Sequence, residues 1–290
     1  MDNPASTFLF HRPEFIFRHS ETEIITFEAH GSKIYFSRLG NLLISLDKSP
    51  FGSFILTSRN TKSDLYSLVE KIVSWSKANG IASLIVRSFP EVYQPAHSTL
   101  IKNALSESGF NVKYEDITQI IHVPETNGIN LNTHKKRRIR QAESKAFVFR
   151  QIPMEYLDEA YARIVESRES KGYPVTMTFQ DLETMFKVFP NDYLLFGVFD
   201  QITLIATAVC IKINNEIMYC FYLGDALAYR RDSPITLLIN GIFEYCKTHL
   251  FKILDLGLST DKGVVNTGLY AFKKSFGSVD SQKLTFLKQL

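Results

Sequence analysis

The stretch that most narrows the fold is Lys252 to Gly277, KILDLGLSTDKGVVNTGLYAFKKSFG. Ile253-Leu254-Asp255-Leu256 reads as a short apolar strand that runs into Gly257, and a polar loop follows it. A helix comes next, in which Leu269, Phe272 and Phe276 recur at helical spacing before Gly277 stops it. A strand whose carboxyl end opens through a loop into a helix is the unit on which α/β proteins build ligand crevices. The chain is therefore expected to carry its chemistry near this stretch.

At 290 residues, 45% of them hydrophobic, the chain can bury one large core or two modest ones, and its length favours two domains. Lysine and arginine number 33 against 30 acids, a net charge of +3 that is too mild to name a nucleic-acid partner, so only local clusters bear on that question. The apolar runs Tyr193–Phe199 and Ile202–Ile213 are broken by Asp200 and Gln201, too short for a spanning helix. The amino-terminal MDNPASTFLFHRPEF has no basic leader followed by a continuous apolar core, which points to a cytoplasmic protein. Cys210, Cys220 and Cys246 are widely spaced in apolar segments and read as buried reduced thiols, not as a disulfide frame or a zinc site.

In chain order, Glu23 to Leu46 alternates and pauses at Gly31-Ser32 and Gly40-Asn41, as a meander of short strands does. A helix over Ser63–Ala78 is capped by Ser63 or Thr61 and stopped by Asn79-Gly80, and a strand over Ala82–Val86 follows. A helix over about Ser98–Glu107 ends at Gly109, before a strand over Asn111–Val123. The turn-like Thr126-Asn127-Gly128 is taken as the boundary between halves, 1–126 and 127–290.

After a basic helix, the second half reads as a strand at Phe147–Gln151 and a helix over Pro153–Lys171. Then come the turn Gly172-Tyr173-Pro174 and a short helix capped by Thr178. Strands at Tyr193–Phe199, Thr203–Ile213 and Glu216–Leu223 precede a helix over Ser233–His249. The two halves align weakly: Ile72–Lys77 falls on Ile242–Lys247, and Ala82–Val86 falls on Lys252–Leu256. Each copy alone leaves a mixed sheet covered on one side, so two copies side by side is the economical arrangement.

The repeated order of meander, helix, strand, helix, strand resembles the GNAT acyltransferase fold, and its doubling resembles the FemAB-like, tandem-GNAT aminoacyl- and acyltransferases. The resemblance rests on Leu254-Asp255-Leu256-Gly257 followed by Asn266, Gly268-Leu269, Phe272-Lys273-Lys274 and Phe276-Gly277, and on Arg168–Pro174. It implies an α/β chain of mixed sheets in two tandem GNAT-like domains, with a non-catalytic first domain and the active crevice in the second. A GNAT domain commonly carries a tyrosine, the acid toward the departing thiolate, four residues before the glycine that closes this helix. Here that position holds Lys273 in the second half and Leu105 in the first, which can do no proton chemistry.

Lys273 lies between Phe272 and Phe276, where an ammonium either snorkels or steadies the oxyanion of a tetrahedral intermediate. Asp255 serves either a neighbouring loop or the substrate; Ser259 and Tyr173 are further substrate-side candidates. The base is open among Asp225, Asp255, Tyr222 and water. Before the helix Ser233–His249, Tyr229-Arg230-Arg231-Asp232-Ser233 occupies the place of the GNAT pyrophosphate-binding turn but lacks its glycines, which disfavours backbone wrapping of coenzyme A. Arg230, Arg231, Ser233 and Asn266 are the donor-side candidates. In His134–Arg140, Lys136, Arg137 and Arg140 share a helix face, a solvated surface or a contact for RNA phosphates, with no interleaved aromatics for base stacking.

The sequence thus suggests an acyltransferase acting on a primary amine of a small molecule or peptide, with acyl-CoA or aminoacyl-tRNA as donor and no metal. The alternative is a non-catalytic binding protein with a degenerate GNAT fold, which the glycine-free turn favours.

Overall fold

The computed structural model describes residues 7–18, 23–124, 129 and 131–290. A 3-10 turn at Leu9–His11 precedes α1 (Pro13–Arg18), β1 (Ile24–Ala29), β2 (Ser32–Leu39), β3 (Leu42–Ile44), α2 (Lys62–Ala78), β4 (Ser83–Arg87), α3 (Pro95–Glu107) and β5 (Asn111–His122). Next come α4 (Thr133–Ser144), β6 (Val148–Ile152), α5 (Leu157–Glu169), α6 (Phe179–Val188), β7 (Tyr193–Asp200), β8 (Thr203–Lys212) and β9 (Ile217–Asp225). The chain closes with α7 (Pro234–Thr248), β10 (Ile253–Leu258), a small hairpin of β11 (Thr260–Asp261) and β12 (Val264–Val265), α8 (Thr267–Lys274) and β13 (Val279–Gln289).

These elements form two compact units, Met1–Thr118 with Leu258–Asn266 and Asp280–Leu290, and Gln119–Gly257 with Thr267–Val279. The turn Thr126-Asn127-Gly128, expected to part the halves, lies outside the described residues, as do the first six residues of the amino terminus.

In the first unit β1, β2 and β3 form the expected antiparallel meander, and β3 then pairs with β4 in parallel, Leu42 with Ser83 through Ile44 with Ile85. The last strand, β13, lies antiparallel to β4. The helix between β3 and β4 starts where the sequence suggests: Thr61 and Asp64 form a capping box, and Leu65, Leu68, Val69 and Ile72 turn one buried stripe inward. Phe8, Phe10, Phe36, Phe54, Phe89 and Phe286 are fully buried there.

The second unit repeats the plan. β6 to β9 run antiparallel in order, and β9 pairs with β10 in parallel, Ile253 with Ile217, Leu254 with Met218 and Asp255 with Tyr219. Helix α7 is buried nearly all round, from Leu237 to Cys246, and sits in a core with Phe196, Leu254 and Phe276. Gly109 and Gly277, which follow the last helix of each copy, both take left-handed backbone at φ 78° and 74°.

Several bounds move. Helix α3 begins at Pro95, because proline at N1 lacks only an amide that has no helical partner. The expected helix over Pro153–Lys171 is a 3-10 turn at Met154–Tyr156 followed by α5. All three cysteines are free and buried. Among the described residues no helix is long and apolar enough to cross a membrane.

Phe276 has no exposed surface whereas Phe272 is half-buried, so the large core truncation is expected at Phe276. Phe276→Ala should destabilise by about 3–5 kcal/mol in urea unfolding, and Phe272→Ala by clearly less.

Candidate active site

Register pairing between β9 and β10 stops at Asp255 and Tyr219, although β9 runs on to Asp225 and β10 to Leu258. Two parallel strands that part at their carboxyl ends leave a crevice between them. Three residues stand where the pairing ends. The Asp255 carboxylate, 2% exposed, accepts a 2.6 Å bond from the Gly257 amide, and Gly257 turns left-handed at φ 79°. The Gly257 carbonyl in turn accepts a 2.8 Å bond from Lys273 Nζ in the last turn of α8.

Lys273 is 5% exposed, and burial pushes its ammonium down to about 8, against the opposing pull of Asp255 and then Cys220. Of the two adjacent lysines it is the inward one; Lys274 is exposed, with Nζ 5.9 Å from the Tyr270 ring centroid. A Cβ on Gly257 would stand 3.3 Å from a Tyr219 ring carbon, in a conformation L residues avoid. Gly257→Ala should therefore cost at least about 1–2 kcal/mol in chemical denaturation, and an unchanged midpoint would refute the turn's role.

Three more second-unit candidates, Asp225, Arg230 and Tyr222, are held by side-chain bonds. Asp225, at the end of β9, accepts from Ser167 Oγ at 2.6 Å and from Arg230 Nε at 3.2 Å, with Lys171 Nζ at 4.0 Å. A second guanidinium nitrogen of Arg230 donates to Ser170 Oγ at 2.7 Å. The Tyr222 hydroxyl accepts both the Thr176 and Met177 amides at 3.0 Å and pairs with Thr176 Oγ1 at 2.6 Å, while the Arg168 guanidinium lies over its ring. Tyr222 thereby fastens the loop that carries Tyr173, which is 42% exposed. Asp225 and Tyr222 each arrive with their polar atoms already engaged.

The turn before α7 is filled by a 3-10 helix, Leu227–Asp232. Arg230 points into the Asp225 network, and Arg231 is exposed with its carbonyl bonded to Arg138. Ser233 caps α7 in left-handed backbone with no side-chain bond to the helix. Asn266 and Ser259 belong to the first unit, where the Asn266 amide donates to the Ser259 carbonyl at 2.9 Å. Beside them Asp116 accepts from Thr260 Oγ1 and the Gly263 amide, so this segment is a fastened loop.

One residue in this region escapes the sequence reading. Lys135, 8% exposed, puts Nζ 3.3 Å from Thr236 Oγ1 in the first turn of α7, and 4.4 and 4.5 Å from the ring centroids of Phe272 and Phe276. No carboxylate contacts it among the described residues, and burial, then Arg138, pushes its ammonium down to about 8. The signal is its spacing: Lys135, Ile139 and Ala142 stand at i, i+4 and i+7 on the buried face of α4. Lys136, Arg137 and Arg140 are exposed on the other side, without ion pairs among the described residues.

No protein-family profile matches the sequence, and no curated protein matches it. Solved structures do. FemX superposes with a TM-score of 0.73 at 13% identity, over 99% of this chain and 94% of that one. A conserved protein of unknown function from Bacteroides thetaiotaomicron VPI-5482 gives 0.66 at 10% identity, over 95% and 90%. L-PGS from Bacillus licheniformis gives 0.63 at 11% identity, over 91% and 83%. The chain has the fold of FemX, as the resemblance read from its closing signature implies.

Proposed function

We propose that the chain is an acyltransferase whose second unit moves an acyl or aminoacyl group from an activated donor to a primary amine by direct attack. Lys273 carries the reading: a buried ammonium, fixed through Gly257 at the mouth of a splayed parallel pair, is suited to a developing oxyanion. The attacking amine must lose a proton; since Asp225 is ion-paired with Arg230, Tyr222 is pinned to the 176–177 amides and Asp255 is buried against the Gly257 amide, water is the better base. The first unit, with Leu105 at the position corresponding to Lys273, is non-catalytic in this reading.

For the donor, Lys135 beside the first turn of α7 supplies a buried cation where backbone amides are not wrapped by glycines. The exposed Lys136, Arg137 and Arg140 extend the positive surface, which favours a polyanion such as aminoacyl-tRNA over coenzyme A. Binding titrations at several salt concentrations test this. tRNA affinity should fall with a log–log slope of roughly 0.7–0.9 per neutralised phosphate, and Arg137→Ala with Arg140→Ala should reduce the slope by about two such contacts. An acyl-CoA donor would give a shallow slope indifferent to those two residues.

The competing reading is a binding protein with a degenerate donor site. The 3-10 turn that fills the pre-helix position and the engagement of Arg230 by Asp225 favour it. It gains if acetyl-CoA, longer acyl-CoAs and aminoacyl-tRNA all leave the melting temperature unchanged, because a ligand at 100 times its Kd adds about 2.7 kcal/mol.

A further inference from the structure

Tyr219 is the last residue of β9 in register with β10, opposite Asp255, and it is half-buried. A Cβ on Gly257 would stand 3.3 Å from Tyr219 Cε2, the ring carbon beside the one that bears the hydroxyl, and 3.8 Å from Lys273 Nζ. The phenol ring and the buried ammonium therefore flank one point of the Gly257 turn. The Tyr219 hydroxyl makes no hydrogen bond among the described residues, and its oxygen is not enclosed by the protein. Burial, and then Asp255, hold the phenol well above its ordinary range, which keeps it a donor and makes it a poor base. Packing alone does not call for a hydroxyl at this position. The first unit builds the third pair of its own parallel strands from Ile44 and Ile85, where the second unit has Tyr219 and Asp255, and it carries Leu105 where the second carries Lys273. Phenol and ammonium thus occur together in one copy and are both replaced by apolar residues in the other.

We infer that Tyr219 is a second oxyanion donor, beside Lys273, in the transfer assigned to the second unit; the inference rests on that acyl-transfer reading. As the amine nitrogen forms the new C–N bond, the carbonyl π pair moves onto oxygen, which accepts from the Tyr219 hydroxyl and the Lys273 ammonium. Return of that pair expels the leaving group with the bonding electrons of the donor's C–S or C–O bond, and the proton lost by the amine passes to the leaving group through water. Tyr219 gives up no proton in this cycle. Its part is that of a preorganised dipole aimed at charge as it develops, and a neutral phenol supplies it without burying a second cation beside Lys273.

Single-turnover amide formation by the full chain tests it, with acetyl-CoA, a long-chain acyl-CoA and aminoacyl-tRNA as donors to primary amines. Tyr219→Phe keeps the ring and removes the hydroxyl; 3-fluorotyrosine placed at 219 keeps the hydroxyl and makes it a stronger donor. Tyr219→Phe should slow the step about 10²-fold, with donor affinity and melting temperature unchanged. The fluorotyrosine protein should react at the wild-type rate or faster. A wild-type rate in Tyr219→Phe, a loss carried by donor affinity alone, or a fluorotyrosine protein as slow as Tyr219→Phe overturns the role of Tyr219 and leaves the acyl-transfer reading standing. No amide from the wild type with any of the donors overturns both.

Discussion

Lys273→Met is expected to lower transfer about 10²–10³-fold, the loss that follows removal of one preorganised oxyanion donor, while the protein stays folded. Methionine fills the same space without the charge, so the neighbouring Phe276 core is kept. The pH dependence separates catalysis from folding. The folded Lys273 is pushed down to about 8 from an ordinary 10.5, so the ammonium that the proposed mechanism uses disappears as pH rises through about 8, and activity should fall there. Stability moves the other way. Between about 8 and 10.5 the unfolded chain binds the proton that the folded chain has released, so this lysine's contribution to stability rises with pH. Activity that stays flat from pH 7 to 9.5 would remove Lys273 from the mechanism.

The second large effect is acid sensitivity of the first unit. His11 is 6% exposed, its ring centroid lies 5.5 Å from that of Phe8 and 5.7 Å from that of Phe51, and its Nε2 is buried without a partner. Burial pushes the imidazole from its ordinary 6.5 down to about 3. The folded value lies below the unfolded one, so His11 costs nothing above pH 6.5. Stability is then lost as pH falls toward 3, by about 1.4 kcal/mol per pH unit, because the unfolded chain gains a proton that the folded chain refuses. Urea unfolding at pH 7 and 4.5 should show a loss roughly 2–3 kcal/mol larger in the wild type than in His11→Phe, which keeps the aromatic packing and removes the titration. Equal losses would mean that the ring is protonated in the fold.

Much of the frame was legible in local chemistry. The Thr61 capping box, the meanders around Gly31 and Gly40 and the two parallel strands after α2 and α7 all announce themselves within a few residues. Strand β13 did not, because several of its buried positions carry polar residues, Ser281, Lys283 and Thr285, which hide the alternation of a half-buried strand. Asp255 was legible as a residue serving either a neighbouring loop or the substrate, and it bonds the Gly257 amide; its burial with Leu254 and Leu256 follows from a strand covered on both faces.

At the site, Lys273 stood out because it interrupts an apolar helix face, and Lys135 would have done so by the same argument applied to Ile139 and Ala142. The Asp225 network could not be read locally. It joins Ser167 to Asp225 across 58 residues, and a separate set of bonds joins Thr176 to Tyr222 across 46, with no periodicity to mark either pair.

The central claim is that the second unit forms an amide bond and that Lys273 steadies the step. Single-turnover transfer, followed by mass spectrometry from acetyl-CoA, a long-chain acyl-CoA and aminoacyl-tRNA to a pool of primary amines, tests it most directly. At least one donor should yield an amide with the wild type and with Lys274→Met, and none or a 10²-fold slower one with Lys273→Met. Equal amide formation by the Lys273→Met protein, or donors that bind without any amide forming, would contradict the assignment and leave a binding protein in the FemX fold.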